Sequence, residues 1–319
     1  MLNFGKAVAV TFDQYYFQFK IKVSSNIEHT SSIKIESSFF SSNFVQFSCK
    51  ELEQNSTIAD KKTLFFIQLL QPWKQFIQNR NIEISILNSF SPSLGFGSSS
   101  AIIAGISAAF NTIFLNDTPI FSNPILWKNI RQSIKNIQGK GSGYDVAIQL
   151  AHYLIEEKKD RTEFWTFQNQ INSEIPNVTK FNLIDDIKLY GCFLKTNIYS
   201  DTKKAIHIFS QNSKKEDYAA SHTKLAEHFI AEPTLKNLNY LMEESFLIAN
   251  KQNILPLNIE SFNNLTQQLK AFNIKFKTMG AGHGDCLWVL SSPENLIKNC
   301  NILKNDIVFA FSKVGDLNE

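Results

Sequence analysis

Ser91-Pro92-Ser93-Leu94-Gly95-Phe96-Gly97-Ser98-Ser99-Ser100-Ala101 is the stretch whose reading decides the fold. Two glycines flank a phenylalanine, three serines follow, and small and apolar residues fill positions 101–115. That order predicts a loop opening a buried helix. A helix start carries unpaired backbone N–H groups and about half a positive charge, so it suits phosphate. Glycines let the backbone approach an anion, and serine hydroxyls add donors or reach a magnesium ion. A plain turn before a helix is equally compatible with these residues, and the rest of the chain has to separate the two readings.

Composition sets the bounds. The chain of 319 residues, 43% hydrophobic, is long enough to bury a sizeable core and to divide into two domains. A net charge of +3 without a basic run or arm does not imply nucleic acid. Cys49, Cys192, Cys286 and Cys300 are scattered with no CxxC pair, which points to a reducing, cytoplasmic setting. No apolar run reaches the length of a membrane span, and the N-terminus has no basic-then-apolar signal pattern. The six histidines show no metal-ligand spacing.

Along the chain, Phe17, Phe19, Ile21 and Val23 alternate with Gln18, Lys20 and Lys22, predicting a half-buried strand. Ile33 and Ile35 continue the pattern, and a further strand is expected over 44–49. A helix is expected over 62–79, bent or ended by Pro72. Ile82, Ile84 and Ile86 alternate in a strand feeding the Ser91 loop, so strand, glycine loop and helix follow in the order a phosphate loop needs. Ile102, Ile103, Ile106, Ala108, Ala109, Phe110 and Ile113 make the following helix apolar on nearly every side, hence central. Another helix is expected over 125–137. In the second half a core strand is expected over 187–194, and helices over 221–231, 235–250 and 259–271. Met242 and Phe246 there read as core.

Two further glycine-rich stretches carry chemistry. In Gln138-Gly139-Lys140-Gly141-Ser142-Gly143-Tyr144-Asp145-Val146-Ala147, an aspartate follows a glycine turn and precedes an apolar helix. Asp145 reads either as an N-cap or as a carboxylate aimed into what the turn lines, taking or orienting the proton of an attacking hydroxyl. In Lys277-Thr278-Met279-Gly280-Ala281-Gly282-His283-Gly284-Asp285-Cys286, three glycines in five residues precede an apolar strand, more than a tight turn requires. His283 at its tip reads as an anion donor or as solvent-facing.

The Ser91 loop is not a Walker A loop, since no Gly-Lys-Ser/Thr follows, and a dinucleotide fingerprint would need glycine where Ser100 stands. It resembles the loop of the GHMP small-molecule kinases (galactokinase, homoserine, mevalonate and phosphomevalonate kinases), Pro ahead of Gly-Leu-Gly-Ser-Ser-Ala-Ala, with Phe96 and Ser100 as departures. The second stretch is similar to the phosphomevalonate kinase pattern Gln-Gly-Lys-(Val)-Gly-Ser-Gly-Phe-Asp-Val-Ala. The third resembles Lys-x-Thr/Ser-Gly-Ala-Gly-Gly-Gly, with a Gly-Asp-Cys ending typical of that same group. Thr196-Asn197-Ile198-Tyr199-Ser200-Asp201-Thr202 resembles the superfamily's Thr-Gly-x-x-x-Ser-Thr turn, with Asn197 for glycine.

The resemblance implies an α+β, two-domain fold: a ribosomal-protein-S-five type N-terminal domain over 1–160 and a ferredoxin-like C-terminal domain over 161–319, with the charge cluster 156–161 at the boundary. It implies an ATP- and Mg2+-dependent kinase of isoprenoid precursor synthesis, acting on a phosphomevalonate-like small molecule. Gly95, Phe96, Gly97, Ser98, Ser99, Ser100 and Ala101 would hold the nucleotide and Ser99 the magnesium. Asp145 would be the catalytic residue, and Gly141, Ser142, Gly143, Gly280, Ala281, Gly282 and His283 would face the substrate. Oligomeric state is not implied.

Four departures stand against this. The family's opening Pro-Gly-Lys-x-x-x-x-Gly-Glu is not matched: Phe4-Gly5-Lys6-Ala7-Val8-Ala9-Val10 reads as the end of that element, so the first strand, its lysine and its glutamate are expected to be absent. That would follow from a start called too far downstream or from real loss of part of the site. Met279 replaces a hydroxyl residue, Ala151-His152-Tyr153 replaces a Gly-Gly, and no acidic residue occurs between Asp117 and Asp145 to hold magnesium. A mevalonate kinase-like enzyme and a non-catalytic relative are the alternative readings.

Overall fold

The structure, a computed structural model, describes residues 5–12, 16–25, 31–37, 44–52, 60–88, 97–139, 141–154, 162–170, 172–184, 190–198, 211, 215–279 and 285–312. The first half contains β1 (Lys6–Phe12), β2 (Phe17–Ser25), β3 (Ser32–Ser37), β4 (Phe44–Ser48), α1 (Lys61–Leu70), α2 (Lys74–Ile77), β5 (Arg80–Asn88), α3 (Ser98–Phe114), α4 (Pro124–Gln138) and α5 (Tyr144–Tyr153). The Asp60 carboxylate caps α1 by accepting from the backbone N–H groups of Lys62 and Thr63. Pro72 sits in a 3-10 turn, Gln71–Trp73, that separates α1 from α2, as a missing N–H inside a helical pattern demands.

β2, β5, β3 and β4 form one sheet in that order, with β2 antiparallel and β3 parallel to β5. Register puts Phe19 opposite Ile86, Ile21 opposite Ile84, and Ile35 beside Ile84. The period of two therefore turns Ile33, Ile35, Ile82, Ile84 and Ile86 inward, and all five are buried. Each contributes about 1.5–3 kcal/mol by leaving water. Trp73, Phe110, Ile103, Ile106, Ile130 and Ala147 of the helices complete this core.

β1 pairs along its length with β6 (Thr162–Gln168), which pairs with β7 (Asn177–Phe181) in a separate antiparallel sheet. The stretch read as the end of an opening element is thus a strand of its own, while the Pro-Gly-Lys and Gly-Glu of the resembled opening remain unmatched in the sequence. A run of small apolar residues beginning at Lys6 forms a complete strand, and its partner at 162–168 was not recognised in the sequence. α5 packs on β1 and β6.

The second half adds β8 (Tyr190–Lys195), α6 (Lys215–Ala231), α7 (Leu235–Lys251), α8 (Glu260–Ala271), β9 (Phe276–Thr278), β10 (Cys286–Val289), α9 (Pro293–Asn299) and β11 (Ile307–Ser312). Its antiparallel sheet runs β11, β8, β10, β9. One face places Cys192, Leu194, Phe276, Leu287 and Val289 against Phe246, Phe262 and Leu269 of the helices. The other face presents Phe193, Trp288 and Phe309 to Phe164 of β6, Phe229 of α6 and Met242 of α7, and this cluster joins the halves. α6 also packs on β1, where Lys6 Nζ lies 3.2 Å from Glu227 Oε1.

Close packing of α3 on β2 depends on Gly105, where a Cβ would lie 2.1 Å from Cε2 of the Phe19 ring. Alanine in place of a helical glycine ordinarily stabilises by up to about 1 kcal/mol, whereas forcing a packed ring aside costs about 1–3 kcal/mol. The steric effect should win. Gly105→Ala is expected to lower the urea midpoint, and adding Phe19→Leu should recover part of the loss; an unchanged or raised midpoint for the single variant contradicts this packing.

Candidate active site

Two helices in this fold begin in the same unusual way. Gly97 precedes α3 with φ 76° and Gly143 precedes α5 with φ 74°, both left-handed, and neither helix has a side-chain cap hydrogen bond at its start. Glycine adopts that backbone without strain. Each start carries the positive end of a helix dipole, and at α5 the first N–H, that of Tyr144, donates to Ser142 Oγ. The two are adjacent: α3 packs on α5, and Gln149 Nε2 donates to Gly97 O at 3.4 Å. Asp145 lies one helical turn before Gln149 on the same face of α5, which brings it towards the start of α3.

Asp145 is the second residue of α5 and is not its cap, so the capping alternative for this carboxylate is set aside. Burial raises its pKa from 3.8 to about 6, against the opposing effects of a hydrogen bond from Tyr144 and the positive charge of Lys277. Lys277, in the centre of β9, is itself lowered by burial, while the Asp145 charge opposes that shift. Its Nζ donates to Thr278 O at 3.1 Å. Tyr144 is pushed well above its usual value, first by the neighbouring Asp145 charge and then by burial. The cluster spans both halves of the chain, with Tyr144 and Asp145 from α5 and Lys277 from the far sheet.

The glycine turn ahead of Asp145 is fixed from outside. Ser142 Oγ accepts from Tyr144 N at 3.3 Å, and Ser142 O accepts from Asn169 Nδ2 at 3.3 Å. Asn169 Oδ1 accepts in turn from Arg131 Nη2 at 2.8 Å, and Arg131 Nε lies 3.1 Å from Glu174 Oε2. At Gly141 a Cβ would meet Ile134 Cγ2 at 2.7 Å and Gln138 Oε1 at 2.8 Å, so the turn closes tightly on α4.

Of the sequence-predicted residues, Gly97, Ser98, Ser99, Ser100 and Ala101 lie at the start of α3, with Ser99 exposed and Ser100 buried. Gly141, Ser142, Gly143 and Asp145 lie at the start of α5. Gly95, Phe96, Gly280, Ala281, Gly282 and His283 lie outside the described residues, as does the 156–161 boundary cluster. The base of the 280–284 loop is described: Met279 N donates to Cys286 O at 3.0 Å, and Asp285 N to Ile198 O at 2.7 Å. Asn197 has φ 59°, the left-handed backbone that glycine would supply in the resembled turn. His152, in place of the family's Gly-Gly, sits with Nδ1 3.0 Å from Glu163 Oε2 and 3.2 Å from Thr11 Oγ1, tying the end of α5 to β1 and β6. Among the described residues no group of three or more His, Cys, Asp or Glu could hold a metal ion, and no helix is long and apolar enough to cross a membrane.

Sequence reasoning assigned no role to Tyr144 or Lys277. Both lay in the quoted stretches, but only folding reveals that a residue adjacent to Asp145 donates to it, and that an alternate residue of β9 points its charge the same way.

Residues 64–152, which hold the helices α1 to α5, match the family model described as GHMP kinases N terminal domain. No curated protein matches the chain by sequence. Among solved structures, the mevalonate kinase of Methanococcus jannaschii is similar at TM-score 0.62 and 16% identity, covering 98% of this chain and 97% of its own. A Streptococcus pneumoniae phosphomevalonate kinase in complex with phosphomevalonate and AMPPNP is similar at TM-score 0.63 and 13% identity, covering 98% and 99%. A Lactococcus lactis galactokinase complexed with galactose follows at 0.64 and 15%, covering 93% and 82%. At these identities the likeness is one of fold: the chain has the two-domain α+β fold of these kinases over nearly its whole length.

The sign of the Asp145 shift gives a stability test. A folded-state pKa near 6 against 3.8 means the folded chain holds this proton more tightly than the unfolded one. The stabilisation is complete below pH 3.8 and is lost as pH rises through 6, by an amount on the order of 2–3 kcal/mol. Asp145→Asn should therefore melt higher than the wild type at pH 7.5, with the difference shrinking towards pH 4. A gap in Tm that does not change with pH contradicts the burial of this carboxyl.

Proposed function

We propose that the protein is an ATP-dependent small-molecule kinase that phosphorylates a phosphomevalonate-like acceptor in isoprenoid precursor synthesis. One observation carries the reading: Asp145, whose carboxyl burial pushes up to about 6, lies one helical turn from Gln149, which donates to the glycine that leads α3. A base is most useful when its pKa lies near the working pH. The likeness in fold to a phosphomevalonate kinase complexed with phosphomevalonate and AMPPNP supports the nucleotide, and the acceptor class rests on the Gly141–Asp145 and Gly284–Cys286 stretches of the sequence.

The start of α3 fits a nucleotide phosphate, since it is led by a left-handed glycine that offers no side chain there and Ser99 is exposed. In this reading Gly95 to Ala101 hold the β- and γ-phosphates, while Gly141, Ser142 and Gly143, with the loop at Gly280, Ala281, Gly282 and His283, face the acceptor. Asp145 accepts the proton of the acceptor hydroxyl as its oxygen bonds to the γ-phosphorus and the bond to the β-phosphate oxygen breaks, leaving ADP. Lys277 holds that carboxylate ionised until the proton arrives. Ser99 is the residue that would reach magnesium, an ion that keeps several of its waters and neutralises phosphate charge. The residues 1–160 and 161–319 are proposed as the nucleotide-side and substrate-side domains.

A coupled ADP-release assay with phosphomevalonate and with mevalonate tests the proposal. Turnover with phosphomevalonate supports it, turnover with mevalonate instead moves the assignment to a mevalonate kinase-like enzyme, and turnover with neither contradicts both. Asp145→Asn should lower kcat by about 10²-fold or more, the usual contribution of a general base. The acid limb of kcat/KM should have its midpoint near pH 6, the value to which burial raises Asp145. Tyr144→Phe removes a hydrogen bond that favours the ionised form, so that midpoint should move upward; a downward or absent shift contradicts the assigned contact.

A further inference from the structure

The inward stripe of α6 runs Tyr218, His222, Leu225, Phe229, and it changes character along its length. At the C-terminal end Phe229 is fully buried and makes edge contacts with Phe164 of β6 and Phe181 of β7. Towards the N-terminal end the stripe turns polar. The His222 ring lies 4.4 Å from that of Tyr218, and its Nε2 is buried without a hydrogen-bond partner. An unsatisfied buried nitrogen is destabilising, so its retention calls for a reason.

The charge that reaches His222 is that of Lys277, the same ammonium that reaches Asp145. Burial first, and then this positive neighbour, push His222 down to about 4, which keeps the imidazole neutral and leaves Nε2 able to donate in the Nε2–H tautomer. Across the strand from Lys277, Trp288 also has a buried indole N–H with no partner. On this side of the Asp145 site two nitrogens are thus buried without a partner, His222 Nε2 and Trp288 Nε1, beside the charge of a Lys277 ammonium that already donates to Thr278 O. What such a set lacks is an anionic oxygen.

We propose that His222 is an acceptor-recognition residue, its Nε2–H and the Lys277 ammonium together receiving an anionic oxygen of the substrate whose hydroxyl Asp145 handles. The inference rests on the kinase reading for the place of that substrate. It adds to that reading the side chain that meets the acceptor's anionic group, and it excludes neutral sugars.

Isothermal titration of the full chain with phosphomevalonate, mevalonate and MgAMPPNP, in wild type, His222→Leu and His222→Gln, tests it beside the ADP-release assay. His222→Leu should weaken the anionic acceptor about tenfold, the value of one hydrogen bond to a charged group, and leave MgAMPPNP within about twofold. His222→Gln, which restores an N–H donor, should recover most of the loss. Loss with both acceptors assigns the carboxylate to His222; loss confined to phosphomevalonate assigns the phosphate. Wild type binding neither anion, His222→Leu binding them unchanged, or His222→Leu losing MgAMPPNP in parallel overturns the proposal. Anion binding that depends on His222 without ADP release would remove phosphoryl transfer while keeping the recognition. ADP release with an unchanged acceptor KM in His222→Leu would do the reverse.

Discussion

The interaction on which the site depends is the meeting of two helix starts, held where Gln149 of one reaches the backbone carbonyl of Gly97 at the head of the other. Both heads are led by left-handed glycines and lack side-chain caps. The positive ends of two helix dipoles brought together in this way are unfavourable unless negative charge meets them. Here a carboxylate, a lysine and a tyrosine hydroxyl gather beside them, drawn from both halves of the chain. The rest of the fold serves to bring those pieces together. The β2-β5-β3-β4 sheet anchors α3, the β1-β6-β7 sheet anchors α5, and the aromatic cluster around Phe193, Phe229 and Phe309 sets the far sheet, with Lys277, against them.

Electrostatics and stability pull in opposite directions at Asp145. A carboxylate removed from water is destabilising when ionised, which is why burial raises its pKa. The Tyr144 hydrogen bond and the Lys277 charge offset part of that penalty without cancelling it. Such a balance leaves the group close to neutral pH, and strained ionisation of this kind collects at functional sites. Lys277 is held by the same competition, lowered by burial and supported by the carboxylate it faces.

Much of this was legible in the sequence, because local patterns dictate local structure. Alternating isoleucines and phenylalanines gave the strands of the first sheet, Pro72 interrupted its helix, and glycine–serine runs marked both helix starts. The glycine of a resembled turn is replaced by Asn197, and the left-handed backbone there survives the change. What escaped was set by long-range pairing. The pairing of β1 escaped because its partner, β6, lies 150 to 162 residues away. Lys277 and His222 come from strand and helix positions whose neighbours across the domain junction no local pattern specifies. The buried Glu163 of β6, holding His152 of α5 and Lys180 of β7, is likewise a tertiary feature.

The proposed function requires that the mouth of α3 and the Asp145 carboxylate face one bound nucleotide. A crystal structure of the wild type with MgAMPPNP tests it most directly. The account predicts the γ-phosphate between the Ser98–Ser99 backbone and Asp145, its terminal oxygens turned towards that carboxyl. Nucleotide density at any other surface, or a γ-phosphate at the α3 mouth with Asp145 facing away from it, would contradict it.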